Sequence, residues 1–177
     1  MDQNTIITLI RHGETEWNLS GRWQGHADSP LSSRGLEQAK ALGERIKSEE
    51  FDFYYSSDLG RALHTSKLVG EPSGMVAQSF PGLRERDLGV LEVLNTTEME
   101  ETQPDVYTSF RNDGPDFQVP GGESFRQFYE RCLMAIEELA SMHKGSRIAV
   151  VTHGGVLGAI FRYVFKLSLE ADGNFVV

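Results

Sequence analysis

The sequence predicts an α/β protein: three layers, α/β/α, around a mostly parallel central sheet. Two hydrophobic runs at opposite ends of the chain predict it, Ile6–Ile10 and Ile148–Thr152, each rich in β-branched residues and each ending at a histidine followed by glycine. Between them strand-like and helix-like segments alternate, which is the pattern of a parallel sheet covered on both faces. In such sheets ligand sites form beyond the carboxyl ends of the strands. His12 and His153 are therefore placed where a site is expected.

In order, the first strand runs into Arg11-His12-Gly13-Glu14, and Glu14–Asn18 reads as one helical turn. Residues 21–30 are loop. Leu36, Ala39, Leu42 and Ile46 recur at helical spacing and predict a helix over 33–48, with Ser32 or Ser33 as its cap. A strand at 51–56 and a helix at 59–69 follow, with Asp58 as candidate cap, then a short strand at 76–79. Residues 80–122 are acidic and proline-bearing, with weak helical patches near 96–102 and 104–112; a connection of this length is usually functional, often a lid. A long amphipathic helix spans 123–143, with Ser124 in its first turn. The second histidine strand and a helix at 155–165 complete the pattern. Asn174–Val177 resembles the start of a further strand, so a C-terminal segment is expected to be missing.

The 177 residues are read as one domain, enough to bury about 68–75% of the unfolded surface. The net charge is −9 and no Lys/Arg block occurs, which argues against nucleic acid or an anionic membrane as partner. An acidic protein that binds phosphate must gather its few arginines at the site. Cys132, the single cysteine, lies on the apolar face of the 123–143 helix and reads as a buried core thiol. The lack of a basic leader or a membrane-length apolar run points to the cytoplasm. A homodimer is allowed by the sequence, not argued by it.

The chemistry starts at His12. An imidazole attacks phosphorus when it is neutral and one nitrogen is free, and the other N–H then needs an acceptor; a backbone carbonyl at Gly13 would serve. A phosphoryl group in transit needs cations and N–H donors around its oxygens. Arg11 adjoins His12, His153 offers another donor, and backbone amides at Gly154 and Gly155 would add more. Departure of an alkoxide also needs a proton donor. Glu85, Asp87, Glu92 and Glu14 are all candidates, and the residues alone do not choose among them.

R-H-G-E-T-E-W-N at 11–18 resembles the signature of the histidine phosphatase superfamily, the phosphoglycerate mutase-like fold. G-H-A-D-S-P-L-S-S-R-G at 25–35, S-S-D-L-G-R-A at 56–62, L-R-E-R-D-L-G-V-L-E at 83–92, P-G-G-E-S at 120–124 and V-T-H-G-G at 151–155 resemble further family segments, in order and across nearly the whole chain. The resemblance implies that His12 is the nucleophile, that Arg11, Arg61 and His153 form the phosphate pocket, and that Asn18 adds a hydrogen bond. It implies Glu85 as proton donor and later base, with Thr15, Gln24 and Gly25 on the substrate side. No metal or cofactor is implied. The chain departs in one place: after G-V-L-E many members carry glycine, whereas here Val93-Leu94-Asn95 follows.

The family includes hydrolases and mutases, and a mutase needs a second cationic grip. Residues 95–123 hold Arg111 against Glu98, Glu100, Glu101, Asp105, Asp113, Asp116 and Glu123. On that charge count the chain reads as a phosphatase acting on a small phosphorylated metabolite. A cofactor-dependent phosphoglycerate mutase is the alternative, with Arg22, Arg84 and Arg86 in reserve. A phosphohistidine-protein phosphatase and a non-catalytic phosphate-binding module are less favoured. Trp17, Trp23, Phe80 and Phe110 are candidates for an apolar substrate wall.

Overall fold

The computed structural model describes residues 4–170. Strand β1 (Ile6–Arg11) leads through a single turn α1 (Glu16–Leu19) to α2 (Ser33–Ile46), β2 (Phe53–Ser56), α3 (Gly60–Gly70) and β3 (Gln78–Ser79). Helices α4 (Thr96–Thr102) and α5 (Pro104–Asn112) form the long insertion; α6 (Phe125–Met142), β4 (Arg147–Thr152) and α7 (Gly154–Val164) follow. The strand order is β1-β4-β2-β3 and every pair is parallel. The predicted α/β/α class and parallel sheet are what the chain adopts. The suggested strand at Asn174–Val177 lies outside the described residues.

Strand periodicity sorts the core into two faces. Ala149 and Val151 of β4 point towards α2 and α3, packing with Ile10, Ala39, Ala62 and Val69. Ile148 and Val150 point the other way, onto Leu83, Ala135 and Leu139 under α6. A third cluster, Phe128, Cys132, Val156 and Ala159, joins α6 to α7. Cys132 is fully buried there, as its helical position predicts.

The insertion has a small core of its own. Leu91, Met99 and Val119 are fully buried and pack with Leu88, Trp23 and Phe110. Full burial of such side chains contributes about 1.5–3 kcal/mol each, which fixes the lid to the loop that carries Trp23.

Two caps differ from expectation. Ser124 precedes α6 as its N-cap, in a reciprocal capping box with Gln127. Asp58 does not cap α3, because its carboxylate is drawn into a bidentate pair with Arg84 (2.7 and 2.5 Å). The Arg61 amide in the first turn of α3 donates instead to Asp28 Oδ1.

Val93, at the position where the resemblance leads one to expect glycine, has a φ of +68°. A left-handed conformation costs an L-residue about 1–2 kcal/mol, and a β-branched one is an outlier there. The backbone is held by a mutual pairing: Val93 N donates to the Trp23 carbonyl and Trp23 N to the Leu94 carbonyl. Val93→Gly removes the strain, while glycine's extra freedom when unfolded takes back part of the gain. We expect a net stabilisation of about 1 kcal/mol, or a Tm raised by about 2–4 °C, read by calorimetry. A lower Tm would mean that the valine side chain's contacts outweigh the strain.

Candidate active site

Pairing in register places the two histidines. Ile10 lies opposite Val151 and Arg11 opposite Thr152, so His12 and His153 leave neighbouring strands side by side. The His12 amide still donates to the Thr152 carbonyl (2.9 Å), and the ring centroids are 5.2 Å apart. The His12 side chain folds back within its own turn: Nδ1 lies 2.8 Å from the Gly13 carbonyl. A carbonyl only accepts, so Nδ1 carries the proton and Nε2 keeps its lone pair.

Burial, with help from Arg61 and Arg11, lowers the His12 pKa to about 4, against the opposing pull of the Gly13 bond. His153 is fully enclosed and its pKa is pushed well down, again mainly by burial. Both imidazoles are thus neutral in the free protein near pH 7. The linkage has a definite sign for His12. Above about 6.5 both folded and unfolded chains hold it neutral. Between about 6.5 and 4 the unfolded chain binds a proton that the folded one refuses, so its contribution to stability falls as pH falls through that window. By NMR, the His12 ring should titrate near 4, with His12→Gln assigning the signal. A titration near 6.5 would mean the ring is solvated.

His12 lines a cavity of about 920 Å³ together with Arg11, Asn18, Gln24, Gly25, Arg61, Glu85 and Gly154. The expected concentration of arginine is there: Arg22, Arg86, Arg111 and Arg162 also line it. Trp23, Phe110, Phe125 and Phe128 supply its apolar surface. Of the four aromatics considered from sequence, only Trp23 and Phe110 reach the cavity; Phe80 packs under the sheet against Tyr55.

Arg61 is 2% exposed and organises the loop after α1. It donates to the Gly25 carbonyl (2.8 Å), the Ala27 carbonyl (2.8 Å) and Asp28 Oδ1 (3.1 Å). Three buried polar atoms have no partner among the described residues: Arg61 Nε, His153 Nδ1 and Gln24 Oε1. Unpaired buried polar atoms are uncommon. Here all three belong to residues that pack around His12 or line its cavity. The two nitrogens, with Nδ1 of His153 protonated, are donors an oxyanion would satisfy. His153 Nε2 is occupied by Ser57 Oγ at 2.8 Å, and sequence reasoning did not mark Ser57.

Position separates the four candidate carboxylates. Glu92 is consumed structurally: its Oε1 accepts from the His26 amide (2.6 Å) and the Leu88 amide, its Oε2 from the Ala27 amide (2.9 Å). Gly25, at φ +54°, runs so close that any Cβ would collide with that carboxylate. Asp87 Oδ1 accepts from the Gly89 amide, and Glu14 Oε1 from the Ser32 hydroxyl. Of these four candidates Glu85 alone lines the main cavity with His12, where Glu170 is the other carboxylate on the wall. Its Oε2 accepts from the Gly155 amide (2.9 Å) and its Oε1 from the Arg86 amide (2.9 Å).

Some expected contributions are placed differently. Thr15 is fully buried and caps α1 in a reciprocal box with Asn18, so it is not part of the cavity wall. Asn18 Oδ1 accepts from Thr15, which turns the amide NH₂ into the group left for a ligand. The Gly155 amide is spent on Glu85, and a Cβ at 155 would strike that carboxylate. His153 stands behind His12 and does not line the open cavity. Two further histidines are engaged: His26 Nε2 meets the Glu85 carbonyl at 2.9 Å, and His143 meets the Tyr55 hydroxyl and stacks on Phe53. His64 is exposed.

The charge argument about the lid also changes. None of its seven acids lines the cavity. Glu98 pairs with Arg22, Asp116 with Arg126 and Glu123 with Arg131, while Glu100, Glu101, Asp105 and Asp113 are exposed. The lid gives the cavity Phe110, Arg111, Gly114 and Pro115. A count of lid charge therefore does not report the field at the site.

Among the described residues no group of three or more His, Cys, Asp or Glu could hold a metal ion, and no helix is long and apolar enough to cross a membrane.

A parallel α/β sheet thus brings one neutral imidazole into an arginine-lined cavity, with a second packed behind it, an arrangement suited to phosphoryl transfer. Residues 7–177 match the histidine phosphatase superfamily (branch 1), and the chain belongs to that family. It is 43% identical over 167 residues to a metal-independent phosphoserine phosphatase of Arabidopsis thaliana, covering 93% of this chain and 70% of that protein. It is 39% identical over 158 residues to phosphoglycerate mutase-like protein 4 of the same plant, covering 88% and 69%. The alpha-ribazole phosphatase of Shigella flexneri superposes with a TM-score of 0.85 at 32% identity, over 93% of this chain and 81% of that one. The chain is a phosphatase of this family, whose members act through a phosphohistidine.

Proposed function

We propose that His12 carries the phosphoryl group and that the reaction needs no metal. The Nε2 lone pair forms the N–P bond as the bond from phosphorus to the ester oxygen breaks, and Glu85 gives that oxygen its proton. The Glu85 carboxylate then takes a proton from water, whose oxygen bonds to phosphorus as the N–P bond breaks, releasing inorganic phosphate. Arg11, Arg61, Asn18 and His153 hold the phosphoryl oxygens, standing in for the cation used by other phosphoryl-transfer enzymes. One observation carries this reading: the only imidazole nitrogen left free by the Gly13 bond belongs to a ring that shares its cavity with Arg11, Arg61 and Glu85.

The rest of the cavity suggests the substrate class. Arg86 has its guanidinium 5.0 Å from the Phe110 ring centre and 5.8 Å from that of Phe125. It bonds only to the Glu123 carbonyl among the described residues, and burial lowers its pKa to about 10. A desolvated cation facing a ligand cavity favours an anion. The leaving groups we propose are therefore small and carry a carboxylate, as in phosphoserine or phosphoglycerate. We place the enzyme in the cytoplasm, to be tested by fractionation.

The test is steady-state hydrolysis of p-nitrophenyl phosphate, phosphoserine and 3-phosphoglycerate, with and without EDTA. Turnover unaffected by chelator, with the carboxylate-bearing esters preferred by about tenfold or more in kcat/KM, is the expected result. Loss of activity in EDTA, restored by a divalent metal, would overturn metal independence. Phosphoglycerate exchange with a bisphosphate primer, faster than hydrolysis, would favour the mutase.

A further inference from the structure

We infer that His26 is a positioning residue for the proton donor: it pins the backbone of Glu85, and so the reach of its carboxylate. The inference rests on Glu85 being the acid. His26 follows the left-handed Gly25 and does not line the cavity, so direct contact with substrate is not its part. Its Nε2 lies 2.9 Å from the Glu85 carbonyl, which only accepts; Nε2 therefore donates. Its Nδ1 lies 3.4 Å from Asp87 Oδ2, two residues further along the same loop. Its own amide donates to Glu92 at the far end of that loop (2.6 Å). One residue thus holds the 85–92 segment by two hydrogen bonds, one from its ring and one from its amide, with Asp87 beside the ring.

The grip couples the two halves of the chemistry. The Ala27 carbonyl, next to His26, accepts from Arg61, and the Ala27 amide donates to Glu92. Arg61 belongs to the phosphate side and Glu92 to the acid loop, so the 25–28 turn sets the distance between them. From the other side Arg131 donates to the same Glu85 carbonyl (3.1 Å) and to the Gly82 and Arg84 carbonyls. Two donors from different elements therefore fix the Cα end of Glu85, while the Gly155 and Arg86 amides fix its carboxylate. Releasing one of the two backbone anchors loosens the carboxylate without removing it, and an acid misplaced by about 1 Å loses up to about a hundredfold in rate. Because Arg131 remains, about tenfold is expected.

Proton donation matters only when the leaving oxygen is basic. The experiment therefore compares wild type, His26→Ala, His26→Gln and Glu85→Gln on 2,4-dinitrophenyl phosphate and on glycerol phosphate. For the former, a rapid-mixing burst isolates the first step; for the latter, quenched-flow isolates phosphoenzyme formation. Glu85→Gln should slow the first step strongly for the glycerol ester and little for the dinitrophenyl ester. His26→Ala should show the same selectivity at about tenfold with KM unchanged, and His26→Gln, whose amide can donate to the same carbonyl, should recover most of it. A His26→Ala enzyme that is slowed equally on both esters, or on neither, overturns the inference while Glu85 keeps its role. If Glu85→Gln shows no selectivity, the assignment of the acid fails and the inference with it.

Discussion

Replacing His12 by alanine should lower kcat for phosphomonoester hydrolysis by about 10⁴-fold or more, the scale seen when a nucleophile is deleted from a set of groups that act together. The size follows from how the ring is prepared. Its pKa is lowered to about 4, so no proton blocks the lone pair near neutral pH, and its Nδ1–H is committed to the Gly13 carbonyl. None of the remaining nitrogen donors can replace it. His153 is 5.2 Å away ring to ring, fully buried, and held by Ser57. Rapid quench with ³²P-labelled substrate reads the intermediate directly: wild type should yield protein-bound phosphate that is acid-labile and alkali-stable, and His12→Ala none. Label retained in the variant would place the nucleophile elsewhere. Circular dichroism on the same samples separates loss of chemistry from loss of fold, and the sheet pairing of the His12 amide with Thr152 needs no side chain.

Much of this site was legible because it is built from local units. A strand that stops at histidine-glycine states its own position, and parallel pairing of β1 with β4 then brings the two units together. The Gly13 carbonyl as tautomer lock was readable from sequence, since it needs only one residue of reach. What could not be read was long-range competition for each polar group. Asp58 looks like a cap until Arg84, 26 residues on, takes it. Glu92 looks as good an acid as Glu85 until the 25–28 turn consumes both of its oxygens. The helix-start amides after His153 look free until Glu85 claims Gly155. Arg131 was invisible for the same reason: on an amphipathic helix it reads as a solvated charge, yet it ties Gly82, Arg84 and Glu85 together. Net charge misled at the lid because the sign of a segment says nothing about which way its side chains face. Val93 is the opposite case, where the departure from glycine was visible in the sequence and its cost appears only as a backbone angle.

Arg61 should be the most sensitive position after His12, because it is asked to do two things at once. Its fork holds the Gly25 and Ala27 carbonyls and Asp28, and its Nε has no partner among the described residues. Arg61→Ala removes a preorganised cation from the phosphoryl oxygens, which costs about 10²–10³-fold for a single donor of this kind. It also releases the turn that carries Gln24 and Gly25, so about 10³-fold in kcat/KM is expected. It strands Asp28, whose side chain is 37% exposed and partly re-solvated, so stability should fall by about 2 kcal/mol rather than the 3–5 of a fully buried pair, or about 4–8 °C in Tm. Arg61→Lys tells the two effects apart. Lysine keeps the charge but offers no planar fork; it cannot hold two carbonyls and an oxyanion together. The lysine enzyme should regain part of the Tm and less than a tenth of the lost activity, and inorganic phosphate should inhibit it more weakly than wild type. Activity restored in full by lysine would mean that charge alone is required at this position, and the turn would then be held in register by Glu92.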